Sequence, residues 1–335
     1  MKIITNVLTL LVACAFASSA DAATTTIDLR TPPKASSSRR LSSSAGSCLQ
    51  TATFPAGATA TGALSVGDTF AFLLFEDTEI LVTLSERMES PLGGEAFIGT
   101  VSGYDGVKNA VVLQTAEGLM VDIQDFARTR TYTIVSDASG VTVKEIDPSR
   151  EIVTPTEPVD PGIPPGRSGM RLSTTPRLQA DQATTLVDVL VAYDTPAASW
   201  ARQNGGGITN FATMAVQKMN TVLDNCGFAT TFRYRLVGVM TVNATGGTDL
   251  GGVLYAARDG TGDWAPIKAM RDTVGADIVT TLIDTGSASG NTGKGFSLKS
   301  TSFPSFSESA YNVCAVRAVA HSARKPAKAG FLRKG

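Results

Sequence analysis

The chain has 335 residues, enough for two domains that each bury a core. Its 29 lysines and arginines against 30 acids give a formal net charge of -1, which argues against nucleic acid as the main partner. With 43% hydrophobic and 18% charged residues, it has the balance of a globular protein rather than of a multi-span membrane protein.

Lys2 precedes an apolar run from Ile3 to Phe16, and Ser18, Ser19, Ala20 and Ala22 follow. A charged start, a short apolar stretch and a small-x-small site predict a secretory signal peptide over residues 1–22, cut after Ala22. A membrane anchor is the competing reading, but the run is short for a span and no second apolar stretch exists. Secretion places the mature chain outside the cell, where thiols oxidise. Cys14 leaves with the signal, and Cys48, Cys226 and Cys314 remain. An odd number leaves one thiol free or paired outside the chain. Cys226 and Cys314 share the C-terminal unit and are the candidate disulfide, which requires Cα atoms within roughly 7 Å. Asn243, with Thr245, forms the one N-glycosylation sequon.

Residues 23–47 are low in complexity, with Thr24 to Thr26, Pro32, Pro33 and two serine runs around the Arg39, Arg40 pair. Such a segment buries too little apolar surface to offset its ordering entropy, so disorder is expected, with Arg39–Arg40 a candidate processing site. Residues 48–147 read as short strands: 69–75, 80–84, 97–103, 109–114, 119–123, 131–135 and 141–143, separated by Gly and Asp turns. That spacing predicts a small β-sandwich or barrel.

Residues 148–184 are a linker, in which Pro148, Pro155, Pro158, Pro161, Pro164 and Pro165 favour an extended spacer. From 185 the period changes. Leu186 to Tyr193 reads as a strand buried on both faces. Ile208, Phe211, Ala212, Ala215, Met219 and Val222 recur at helical spacing, and Gly227 suits a left-handed C-terminal cap. Thr230 to Met240 is a second strand. Asp263 is the expected N-cap of a helix with Pro266 in its first turn and Gly275 at its end. Ile278 to Ile283 is a third strand, so the order is that of an α/β unit. The run Ser309 to His321 reads as one helix. A basic tail over 322–335 holds Arg324, Lys325, Lys328, Arg333 and Lys334.

Three stretches resemble the secreted reprolysin-like, metzincin-type zinc metalloproteases. Val187 to Ala198 is similar to their opening V-D-V-L-V-x-Y-T-P-x-A, with Asp194 as an insertion. Met270 to Val279 is similar to their L-R-D-x-x-G-A-D-[LI]-V segment, which enters a central strand. Gly99 to Gly103 and the exit at Ile146, Asp147 are similar to their propeptide domain. The resemblance covers roughly residues 60–321. It implies an α+β chain: a β-rich propeptide-like domain (48–147), then an incomplete metzincin-like α/β domain with a mixed sheet (185–321).

The resemblance also implies a secreted zinc metalloendopeptidase precursor acting on peptide or protein substrates. In that family a helix carries H-E-x-x-H-x-x-G-x-x-[HD]. Two imidazoles four apart converge on zinc, and the glutamate deprotonates the bound water. His321 falls at the first ligand position. Ser322 stands at the general base, Lys325 at the second ligand and Phe331, Leu332 at the third. Ser322 lacks basicity, Lys325 would bring a positive charge to the cation, and Pro326 would break the helix. The expectation is a motif cut off after His321, with no catalytic residue in place and zinc not held tightly. The alternative is a non-catalytic secreted pseudoprotease or binding protein. No nucleic acid and no membrane span are expected.

Other chemistry is weaker. Gly290 to Gly295 lacks the Gly-x4-Gly-Lys-Ser/Thr spacing of a phosphate loop, because Ala288 and Gly295 stand at its ends, so a flexible loop is expected. Serine hydrolysis would pair His321 with a carboxylate such as Asp284, but no G-x-S-x-G elbow offers a nucleophile. Cys48 lacks the surroundings of a metal-blocking cysteine, and Asp263 and Glu308 lack partners for a metal.

Overall fold

Alternation is plainest in Thr78–Met88 (β4), where Ile80, Val82 and Leu84 are buried while Leu81, Thr83 and Ser85 face water. That two-residue period is what a strand with one face on a core imposes. The computed structural model describes residues 24–29, 48–54, 59, 62–75, 78–88, 92, 94–116, 118–137, 140–147, 184–286, 292–296 and 309–321. The expected signal peptide (1–22), most of the expected linker (148–184) and the basic tail (322–335) lie outside them. The described chain is a strand-rich mixture of α and β.

The first unit is a nine-stranded sheet. Its strands are β1 (Thr24–Leu29), β2 (Cys48–Phe54), β3 (Thr69–Leu74), β4, β5 (Glu95–Val101), β6 (Ala110–Thr115), β7 (Gly118–Asp125), β8 (Arg130–Asp137) and β9 (Gly140–Ile146). They lie in the order β1-β3-β4-β5-β6-β7-β8-β9-β2. Neighbours from β3 to β9 pair antiparallel in sequence order, as tight hairpin turns dictate. One apolar cluster draws on all nine strands, with Phe70, Phe72, Phe97 and Tyr132 at its centre. The sheet is curled, so that Tyr132 on β8 reaches Thr78 on β4.

One expectation is corrected here. Thr24–Leu29 is not disordered: it adds to the sheet edge parallel to β3, with Ile27 and Leu29 buried in the common core. Low complexity misled because three threonines are good strand formers once an edge is available. Cys48–Phe54 is likewise a strand, paired with β9.

The second unit is a five-stranded sheet ordered β11-β10-β12-β14-β13. Here β10 is Thr185–Tyr193, β11 Phe232–Thr241, β12 Ile278–Ile283, β13 Gly293–Gly295 and β14 Tyr311–Ala315. Every pairing is parallel except that of β13 with β14, so the sheet is mixed. Helices α1 (Thr195–Asn204) and α2 (Ile208–Asn225) link β10 to β11, and α3 (Leu250–Asp259) and α4 (Ala265–Val274) link β11 to β12. Alternate residues of β10 serve the two faces. Val189, Val191 and Tyr193 pack with α1 and α2, while Leu190 and Ala192 pack with α3 and α4. This is why the strand reads apolar throughout.

Three local assignments change. Ser309 to His321 is not one helix: Tyr311–Ala315 is strand β14, and the helix α5 runs only from Val316 to His321. Tyr311 and Val313 are buried in the sheet, and tertiary pairing overrides the apolar spacing. Asp263 does not cap α4. It sits in a 3-10 turn, Gly262–Trp264, and α4 starts without a side-chain cap. Gly293–Gly295 is not a loop but the antiparallel edge strand β13.

The two units meet along α2. Its inner face carries Phe211, Ala212 and Val216 into the sheet, and its outer face carries Met214 onto Ala96, Val111, Leu113, Met120 and Val135 of the curled sheet. Strands β5 to β8 are therefore covered on both faces.

Candidate functional site

In open α/β sheets ligands bind beyond the carboxyl ends of the parallel strands. At that edge the chain leaves β10 through Asp194, a fully buried carboxylate. One oxygen accepts from Ala197 N at 2.7 Å and from Asp284 N at 3.4 Å, and the other accepts from Gly246 N at 3.0 Å. It thus caps α1 and ties the exits of β10, β11 and β12 to one point. Burial pushes the Asp194 carboxyl up, against the three backbone donors that favour its charge. The residue taken as an insertion is a structural hub, and its sequence signal was there: Asp before Thr195-Pro196 is an N-cap followed by proline in the first turn.

Asp284, next along the edge, accepts two bonds from Arg317 of α5, at 2.8 and 2.9 Å. The Arg317 guanidinium holds the Asp284 carboxyl below its ordinary value. Asp284 is therefore engaged by Arg317. His321 ends α5, one helical turn after Arg317. Its side chain, with Ser322, Lys325, Phe331, Leu332 and Glu308, lies outside the described residues.

The entry to β12 explains the more specific of the similar stretches. Arg271 donates to Ala276 O at 3.0 Å and Asp277 O at 3.2 Å, and its guanidinium lies 4.9 Å from the centre of the Tyr311 ring. Asp277 in turn accepts from Asp188 N at 2.9 Å. Gly275, at φ +67°, supplies the left-handed turn between them. Arg, Gly and Asp at this spacing splice a helix end into a central strand.

Cys226 and Cys314 do not pair with each other. Cys226 is free and exposed, and Cys314 is free and largely buried. Cys226 follows α2 just before β11, whose first residue sits opposite Thr185 at the amino edge of the sheet. Cys314 aligns with Leu282, itself opposite Tyr193 at the carboxyl edge. Thr185 and Tyr193 are about 26 Å apart along their strand, and three strand spacings add about 14 Å across the sheet. That is far beyond disulfide reach. Burial pushes the Cys314 thiol up to about 11, so it is inert. Cys48 opens β2, and its side chain lies outside the described residues. Asn243 and Thr245 are exposed in the turn after β11.

Among the described residues no three His, Cys, Asp or Glu side chains gather as a metal would need. Among the described residues the donors near α5 are a thiol and a carboxylate held by an arginine, and the sequence has one histidine. This set does not fit a zinc-protease centre.

No family model and no curated protein matches the chain. Among solved structures, a chain described as "Structure of a chaperone-substrate complex" matches with a TM-score of 0.30 and 14% identity. The match covers 64% of this chain and 32% of that one, so the chain spans about a third of its length. A likeness of that strength identifies neither a fold nor an activity. No described helix is long and apolar enough to cross a membrane.

Proposed function

We propose that this chain is a secreted precursor on the scaffold of a reprolysin-like zinc metalloendopeptidase, with a propeptide-like β unit and an α/β unit whose zinc chemistry is incomplete. The observation that carries the reading is the mixed sheet that ends in an antiparallel edge strand, β13 beside β14, from which a short helix runs to the sole histidine. Val187 to Ala198, which runs from β10 into α1, and Met270 to Val279 at the entry to β12 support it, since both similar stretches serve central strands. The engagement of Asp284 by Arg317 favours a second reading within the same scaffold, a pseudoprotease or binding protein with no peptide hydrolysis of its own.

Expression of residues 23–335, cleavage within 148–184, and assays for bound zinc and casein cleavage test both. Substoichiometric zinc and no chelator-sensitive cleavage are expected. Stoichiometric zinc, with activity lost in His321→Ala, overturns the incomplete site. The nucleotide sequence after the His321 codon separates the two readings. A frame encoding Glu, His and Gly at the family spacing supports the protease precursor, and its absence supports the binding protein.

A further inference from the structure

Among the described residues, the contacts between the two units gather along α2 (Ile208–Asn225) and the segments that flank it. At the start, Lys144 Nζ lies 3.3 Å from Asn204 Oδ1. Gly206 is so close to Met120 that a Cβ would sit 2.6 Å from the sulfur. In the middle, Met214 fills the apolar outer face of β5 to β8, and Lys218 Nζ bonds Asp122 Oδ2 at 2.9 Å. At the end, Asn225 and the Lys108 backbone exchange two hydrogen bonds, of 2.9 and 2.7 Å.

Beside that amide exchange, four charges form a closed ring. Arg233 bonds Glu86 at 2.9 Å and Asp224 at 2.8 Å, and Lys108 bonds Asp224 at 3.0 Å and also Glu86. Each unit supplies one cation and one anion; the Arg233–Glu86 and Lys108–Asp224 bridges cross between the units, while Lys108–Glu86 and Arg233–Asp224 stay within one. An apolar centre, a buried ion pair and a rim of paired charges are the anatomy of a stable protein interface.

We propose that the β unit is a lasting noncovalent partner of the α/β unit: when the linker is cut, the two pieces stay together as a two-chain complex held by the outer face of α2. The partner this surface fits is the chain's own residues 24–147. Separation would expose Met214, Met120 and Leu113 to water and strand Lys218 and Asp122 as unpaired charges on apolar surfaces.

The test inserts a site-specific protease sequence between residues 150 and 180 of the full chain and cuts it to completion. Size-exclusion chromatography with light scattering then follows the fragments at micromolar concentration. Both fragments are expected in one peak with the mass of the uncut protein. Asp122→Lys, which sets two cations face to face, is expected to weaken the complex by at least about tenfold, and adding Lys218→Asp to restore co-elution. Separate peaks for the cut wild-type chain overturn the proposal, and that arm needs no variant to fold. Co-elution that neither Asp122→Lys nor reversal of both Glu86 and Lys108 disturbs overturns the assigned surface. Uncut variants are checked for a wild-type thermal transition before cleavage. No readout involves zinc or peptide hydrolysis, so this proposal and the protease reading can fail separately.

Discussion

Lys218 on α2 places its ammonium 2.9 Å from Asp122 on β7, with 11% and 4% of the two side chains left exposed. Asp122 interrupts an apolar strand on its outward side, and Lys218 interrupts the outer face of an amphipathic helix. Each is an unfavourable burial alone, and together they fix how the helix crosses the curled sheet.

Breaking that pair should therefore be costly in the intact chain. Lys218→Met leaves a buried carboxylate without its cation and is expected to cost about 3–5 kcal/mol in chemical denaturation. Lys218→Met with Asp122→Leu should recover most of the loss. A single-variant cost below about 1 kcal/mol would show that water screens the pair.

Gly206 and Gly207 both have positive φ, +64° and +99°, but only Gly206 faces Met120. Gly206→Ala should lose about 2–3 kcal/mol, from left-handed strain and a displaced thioether. Gly207→Ala meets no atom within 4 Å, and its loss of about 1–3 kcal/mol should come only from φ +99°, ψ 161°, a backbone conformation that glycine alone adopts readily. A double-mutant cycle of Gly206→Ala with Met120→Ala should show coupling. Strict additivity would mean the methyl never meets the sulfur.

Neighbouring carboxylates at the sheet edge should titrate with opposite slopes. Asp284 is lowered by Arg317, so its contribution is complete above the ordinary carboxylate pKa of about 4 and is lost as pH falls through the folded value. Asp194 is raised by burial, so stability tied to it grows as pH falls through its folded value. The deficit of Asp284→Asn relative to wild type should shrink on acidification, while that of Asp194→Asn should widen. Parallel pH profiles for the two variants would refute this assignment of environments.

Thiol chemistry checks the cysteine geometry. Cys226 should react with a maleimide in the native state, while Cys314, buried and with a thiol pushed up to about 11, should react only after unfolding. A Cys226–Cys314 cross-link in a non-reducing peptide map would contradict the strand register.

Much of the element map is local and was legible. β4 shows itself through alternation, α2 through helical spacing, and the end of α4 through Gly275, because each pattern reflects one residue's nearest chain neighbours. The candidate site was less so. The single histidine, His321, is plain from residue order, but Asp194 looked like an insertion and Arg317 lay inside a run read as one helix. Their roles depend on Gly246, Ala197 and Asp284, brought together by strand ends far apart in sequence.

The strand and helix periods and the single imidazole can be read without the fold, since they depend on composition and on spacings of two to four residues. Only the tertiary structure decided that Thr24–Leu29 finds an edge to pair with, that Tyr311–Ala315 is strand rather than helix, and that Cys226 and Cys314 lie at opposite ends of a sheet. It also decided that Asp122 meets Lys218. Each of these is a question of which distant backbone or charge supplies the missing partner. A buried hydrogen-bonding or ionic group is stable only with that partner in place, so its meaning is set by the fold and not by its neighbours in the chain.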